Sequence, residues 1–172
     1  MPADEEFLRA TLPALDLVYN LARRLVGRQA DAEDLVQETY LRAWTAWAAG
    51  RSPRRVEPWL ATICLNAGRD QTRRASTRLE LPAGSAWELP GSADVEAEAI
   101  ARAWRTQVEQ AMWALPAPQR IAITLMDLGG FTAAEVATLT GSPRGTILAR
   151  VHRGRKALAR LVKEQEVRHR AP

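Results

Sequence analysis

The chain has 172 residues, 47% of them hydrophobic, enough to build one medium core or two small ones, and a formal net charge of +4. Its single cysteine, Cys64, excludes an intrachain disulfide framework, and the acidic N-terminus carries no apolar run that could serve as a signal peptide or membrane anchor. These features predict a cytoplasmic protein without direct membrane insertion, and no cofactor or metal motif stands in the sequence.

Helical periodicity recurs from end to end and strand signals are nearly absent. The expected fold class is therefore all-α, with two small helical domains joined by a flexible linker. In the first, DAEDLVQETYLRAWTAWAAG predicts a helix starting at Asp31 and stopping at Gly50. Leu35, Val36, Thr39, Tyr40, Ala43 and Trp47 share its core arc. Asp34, Gln37, Glu38, Leu41 and Trp44 fall elsewhere on the wheel and mix polar groups with large apolar ones. Such a face suits docking onto another protein, since apolar burial supplies energy and the polar groups set orientation. The alternative is that Leu41 and Trp44 pack inside the same bundle.

A second helix begins at Glu57-Pro58 and reads WLATICLNAGRDQTRR, with Trp59, Leu60, Ile63, Cys64 and Ala67 on its apolar arc. Cys64 is thus expected to be a small core residue. Asn66, Asp70 and Arg73 follow one edge, with Arg69 and Arg74 nearby and Arg51, Arg54 and Arg55 in the preceding loop. An amide among guanidiniums can read a base edge while cations hold phosphates, although a solvated polar edge would look the same.

The stretch from Ala75 to Ser92 contains Pro82, Gly84, Ser85, Pro90 and Gly91 and reads as a tether. The overlapping span from Glu80 to Glu98 is acidic: Glu80, Glu88, Asp94, Glu96 and Glu98 face no basic residue there. The expected boundaries are residues 1–75, a linker at 76–93 and a second domain at 94–172. The second domain opens as a helix near Asp94, breaks at Pro116 and Pro118, and makes two further helices before a basic terminal one.

That terminal segment, FTAAEVATLTGSPRGTILARVHRGRKAL, carries helix-turn-helix punctuation. Thr132 can cap a short helix, Gly141 supplies the turn, and Ser142-Pro143 restarts a helix as N-cap and first helical position. Ile147, Val151, Leu158 and Leu161 share one face. Thr146, Ala149, Arg150, Arg153, Lys156 and Arg160 lie opposite, a basic face that can enter a major groove. The charge is local: nine basic residues from Arg144 onward meet only Glu164 and Glu166.

Three segments in this order, DAEDLVQETYLRAW, WLATICLNAGRDQTRR and LPAPQRIAITLMDLGGFTAAEVATLTGSPRGTILARVHRGRKAL, resemble the small two-domain extracytoplasmic-function group of bacterial sigma factors. The resemblance implies a dissociable initiation subunit that binds core RNA polymerase and selects promoters, assisting DNA opening without catalysing covalent chemistry. It places Asp34, Gln37, Glu38 and Leu41 on the clamp coiled coil of the polymerase. It places Asn66, Asp70, Arg73 and Arg74 on the minus-ten element, with Asn66 at a pocket for a flipped base. Thr146, Ala149, Arg150, His152, Arg153 and Arg155 fall to the minus-thirty-five element. An anti-sigma factor is an expected partner, one that could hold the protein at the membrane; with one cysteine here, redox sensing would belong to that partner. Two departures stand out. The loop GRSPRRVEP lacks the aromatic residue the family often carries there, and Leu148 and Ala149 replace a frequent basic residue and serine. A stand-alone helix-turn-helix regulator is the competing reading, and it leaves the Asp34 to Trp44 face and the Asn66 edge without a role.

Overall fold

In chain order the elements are α1 (Ala3–Thr11), a 3-10 turn (Leu12–Ala14), α2 (Leu15–Leu25), α3 (Gln29–Ala48), α4 (Val56–Ala75), α5 (Val95–Ala114), α6 (Ala117–Ile123) continuing into a π turn (Thr124–Leu128), α7 (Ala133–Thr140) and α8 (Arg144–Arg170). The computed structural model describes residues 3–75 and 95–170, with the side chains of 74–75, 95–98 and 165–170 outside the described set. No strand occurs among the described residues, and no helix there is long and apolar enough to cross a membrane. The tether expected at 76–93 lies outside the described residues.

The apolar spacing of α2 explains its central place. Val18, Leu21 and Ala22 are completely buried, and Leu25 packs beside them, the i, i+3, i+4, i+7 stripe of a helix with one face inward. That stripe packs against α3 and α4 of its own unit and also against α6 and the π turn of the second. The same core holds Leu35, Leu60 and Leu65 together with Leu125, Phe131, Val136 and Ile147. The two helical units thus share one core around α2. A smaller cluster, Met112, Leu115 and Ile123, joins α5 and α6 to Leu158 and Leu161 of α8.

α1 is fastened by aromatic edges. Phe7 meets Trp44 at 5.3 Å and Trp47 at 5.7 Å between ring centroids, and Trp47 contacts Trp59. The Tyr40 hydroxyl donates to the Thr11 carbonyl at 3.0 Å, and burial pushes its pKa up to about 12. Thr11, Thr39 and Thr124, all buried, satisfy their hydroxyls on the carbonyls four residues earlier, of Phe7, Leu35 and Arg120.

Several boundaries differ from the sequence reading. α3 begins at Gln29, two residues before the expected Asp31 start. Pro118 does not extend the break but sits in the first turn of α6, where its missing N–H costs nothing. Pro143 precedes α8 as its cap, its carbonyl accepting from the Ile147 N–H at 3.1 Å, so Ser142 lies one position too early to cap.

Cys64 is fully buried on α4, and burial pushes its thiol up to about 12. A thiol-specific disulfide reagent is therefore expected to leave Cys64 unmodified in the folded protein and to react fully in guanidinium. Rapid stoichiometric labelling of the native chain would contradict this packing.

Candidate nucleic-acid and protein interfaces

Residues 29 to 48 form a long helix because both sides of its wheel find partners. Leu35, Thr39 and Ala43 turn inward, while Asp34 and Gln37 are exposed and Leu41 is 61% exposed. Trp44 does not join that outer face: it is half-buried against Phe7 of α1, so the in-bundle alternative holds for Trp44 and fails for Leu41. Nothing in the sequence of α3 announces this, because its partner lies 37 residues earlier on another helix. Glu38 is half-buried, held by the Arg42 Nε at 2.6 Å one turn on.

Arg42 was missed by the sequence reading. Its Nη1 also lies 3.5 Å from Asp70 on α4, and Asp70 in turn accepts from Arg73 Nη2 at 3.2 Å. Glu38, Arg42, Asp70 and Arg73 thus form a continuous charged chain from the outer face of α3 to the outer edge of α4. The pairing with Glu38, helped by Asp70, holds the Arg42 pKa above its ordinary value. The detectable signal was the Glu38 to Arg42 spacing of four; the link to Asp70 needs the helix packing. On α4, Asn66 and Arg73 are exposed, Asp70 is half-buried, and the Arg74 side chain is outside the described set.

Thr132 and Gly141 punctuate the helix-turn-helix as expected, while Ser142 and Pro143 sit one position out. The Glu135 N–H donates to the Thr132 hydroxyl at 3.3 Å and the Thr132 N–H donates to the Glu135 carboxylate at 2.8 Å, a reciprocal capping box. The Thr132 backbone bond and the Arg55 ion pair hold the Glu135 carboxyl down at about 2. Gly141 ends α7 at φ +66°, a left-handed position that strains any other residue. Gly154 lets α8 lie close on α6: a Cβ there would come within 2.7 Å of Ile123 Cδ1.

Along α8, Ile147 and Val151 are buried inward while Arg144, His152, Arg153, Lys156 and Arg160 are exposed. Thr146, Ala149 and Arg150 are half-buried, and Arg150 Nη1 donates to the Ser142 hydroxyl at 2.8 Å. Arg155 grips Asp127 of the π turn through both ends of its guanidinium, Nε at 3.0 Å and Nη2 alongside. Arg150 and Arg155 accordingly brace the turn and the helix frame, and of the six residues expected on the minus-thirty-five element His152 and Arg153 are the exposed ones outside that bracing. Leu148, 44% exposed, leaves apolar surface on α8.

The first unit matches the family description Sigma-70 region 2 over residues 13–78, and the second matches Sigma-70, region 4 over residues 105–158. SigM of Mycobacterium tuberculosis, an ECF RNA polymerase sigma factor, is 31% identical over 84% of this chain and 71% of its own length. The chain belongs to the extracytoplasmic-function sigma factors. SigE of Mycolicibacterium smegmatis is 35% identical over 92% of this chain, which spans only 61% of that relative. Among solved structures, the sigma factor RpoE in complex with the anti-sigma factor NepR from Bartonella quintana aligns with a TM-score of 0.73 at 29% identity, covering 92% of this chain and 98% of RpoE. Both units of this sigma factor thus align together in one superposition. CnrH, in complex with the cytosolic domain of CnrY, shares the fold with a TM-score of 0.65 at 22% identity.

Proposed function

We propose that this sigma factor is a promoter-specificity subunit of bacterial RNA polymerase, with residues 1–75 docking on the polymerase and opening the minus-ten element and residues 94–172 reading the minus-thirty-five element. Asp34, Gln37, Glu38 and Leu41 meet the clamp coiled coil. Leu41 supplies apolar burial, and the polar side chains set register. Asn66, Asp70, Arg73 and Arg74 meet the unwound strand, Asn66 contacting a flipped base whose unstacking costs a few kcal/mol. Thr146, Ala149, Arg150, His152, Arg153 and Arg155 form the duplex-reading surface, in which Arg150 and Arg155 support and Arg153 and His152 contact DNA. The protein acts in the bacterial cytoplasm, and an anti-sigma factor, of the kind that accompanies RpoE in its complex, covers these faces and could itself be membrane-held.

The observation that carries the reading is the joint exposure of Asp34, Gln37 and Leu41, of Asn66, and of His152 with Arg153, on a single chain of this family. The two DNA faces are expected to separate by mutation. With polymerase and a promoter carrying both elements, Arg153→Ala should weaken promoter association by about ten- to a hundred-fold, the worth of one good base contact. Asn66→Ala should leave that association nearly intact and slow opening, read by permanganate reactivity of unpaired thymines. Equal opening rates in wild type and Asn66→Ala would remove Asn66 from the pocket.

A further inference from the structure

One large apolar side chain of α8 stands outside the packing of the fold. Ile147 and Val151 are buried in the main core, and Leu158 and Leu161 pack on the smaller cluster, whereas Leu148 is 44% exposed and belongs to neither. A single exposed leucine is ordinary on a protein surface, so its place rather than its exposure carries the meaning.

Successive helical residues turn by about 100°, which sets Gly145, Leu148, His152 and Lys156, at steps of three, four and four, along one stripe. All four are exposed, and the buried Ile147, Val151 and Gly154 lie on the other side of the helix. Arg153 is exposed beside the stripe, and the exposed Arg144 stands one turn before Leu148. Leu148 is thus an apolar island in a basic surface, within the first two turns of α8.

Those turns are suited to close approach. In a helix-turn-helix the N-terminal residues of the second helix are the ones that reach base edges. A Cβ built at Gly145 would meet nothing within 4 Å, so packing does not demand glycine there. Glycine weakens a helix relative to alanine, and what it offers in exchange is a bare backbone at the leading turn. The helix is also held in a fixed frame, by Arg155 on Asp127 and by Arg150 on the Ser142 hydroxyl.

The chemistry of leucine limits what it can read. It neither donates nor accepts a hydrogen bond, and the apolar group that a major groove displays is the thymine C5-methyl. Set against guanine, leucine would cover the O6 and N7 acceptors without replacing the donors that water gave them. One side chain therefore favours thymine and disfavours guanine at the same base pair, while the surrounding cations hold phosphates of any sequence.

We propose that Leu148 is a specificity-determining residue of this sigma factor, reading one thymine of the minus-thirty-five element through its methyl group. The inference rests on the promoter-subunit reading, which supplies the duplex.

The test uses the full chain with core RNA polymerase on the strongest promoter recovered by run-off transcription of source-genome DNA. Each thymine of the minus-thirty-five element is replaced in turn by deoxyuridine, which deletes the methyl and leaves base pairing intact, and association is followed by fluorescence anisotropy of the labelled duplex. One replacement should weaken association of the wild type about four-fold, the worth of one buried methyl, and should leave association of Leu148→Ala unchanged. Leu148→Arg should instead bind best with guanine at that position, through O6 and N7. Because Leu148 lies outside both cores, both variants should keep the wild-type melting midpoint, and if Leu148→Ala fails to fold, Leu148→Arg decides. Equal responses of the wild type and Leu148→Ala at every thymine, an unchanged base preference in Leu148→Arg, or a minus-thirty-five element without thymine would overturn the inference. If the chain with core polymerase associates with no duplex, the promoter-subunit reading falls instead, and the same scan on the tightest duplex that the chain alone selects from random sequence decides Leu148.

Discussion

Reversing both carboxylates on the outer face of α3, as Asp34→Lys with Glu38→Lys, is expected to lower affinity for core RNA polymerase by about a hundred-fold or more, the usual cost of putting like charge into a complementary interface. Fold stability should change little. Asp34 is exposed, and the Glu38 to Arg42 pair is a half-exposed contact of the kind that contributes at most about 1 kcal/mol. Loss of binding therefore cannot be attributed to unfolding, and circular dichroism checks that point. Because Arg42 also reaches Asp70, Glu38→Gln alone separates the contributions: it removes charge toward polymerase without placing a second cation beside Arg42. Labelled protein titrated with core enzyme, followed by fluorescence anisotropy, gives the affinities. Equal affinities for the wild type and the double reversal would remove this face from the docking surface.

Truncating Leu21 to alanine should destabilise the protein by about 3 kcal/mol, the middle of the range for a fully buried leucine whose cavity cannot collapse. The side chain has no exposed surface and sits on α2, the helix that packs against both units. In a chain of this length a loss of that size lowers the melting midpoint by about 6–12 °C. Because one core serves both units, the urea transition should shift as a whole rather than split into two steps. A loss below about 1 kcal/mol, or a shift confined to one of two separate transitions, would contradict the shared core.

What was legible in the sequence was the local part of this design. The Thr132 cap, the turn glycine and the basic face of the helix-turn-helix are written in neighbouring residues; the structure realises the cap and the Gly141 turn and adds Glu135 as the cap's reciprocal partner. The inward stripe of α3 and the burial of Cys64 follow from periodicity in the same way. The misplacements have separate causes. Trp44 is apolar and off the core arc, so only the presence of Phe7 decides that it packs. Ser142 and Pro143 are one position out because a proline can serve the cap as well as the first turn.

The bond from Arg23 of α2 to Glu109 of α5 was invisible for a stronger reason. The two are separated by 86 residues, and an Arg-Arg pair at the end of a helix reads as ordinary termination chemistry. Likewise, the reach of Arg42 to Asp70 depends on how α3 and α4 pack, which no helical wheel contains. The candidate faces were therefore readable one helix at a time, while the connections between them became visible only in the fold.

The central claim is most directly tested by run-off transcription with purified bacterial core RNA polymerase on fragmented DNA of the source genome, with and without this protein. Discrete transcripts that appear only in its presence, starting downstream of shared minus-thirty-five and minus-ten sequences, are the predicted result. No transcripts from folded protein, together with sequence-specific duplex binding in the absence of polymerase, would contradict the account and favour a stand-alone regulator.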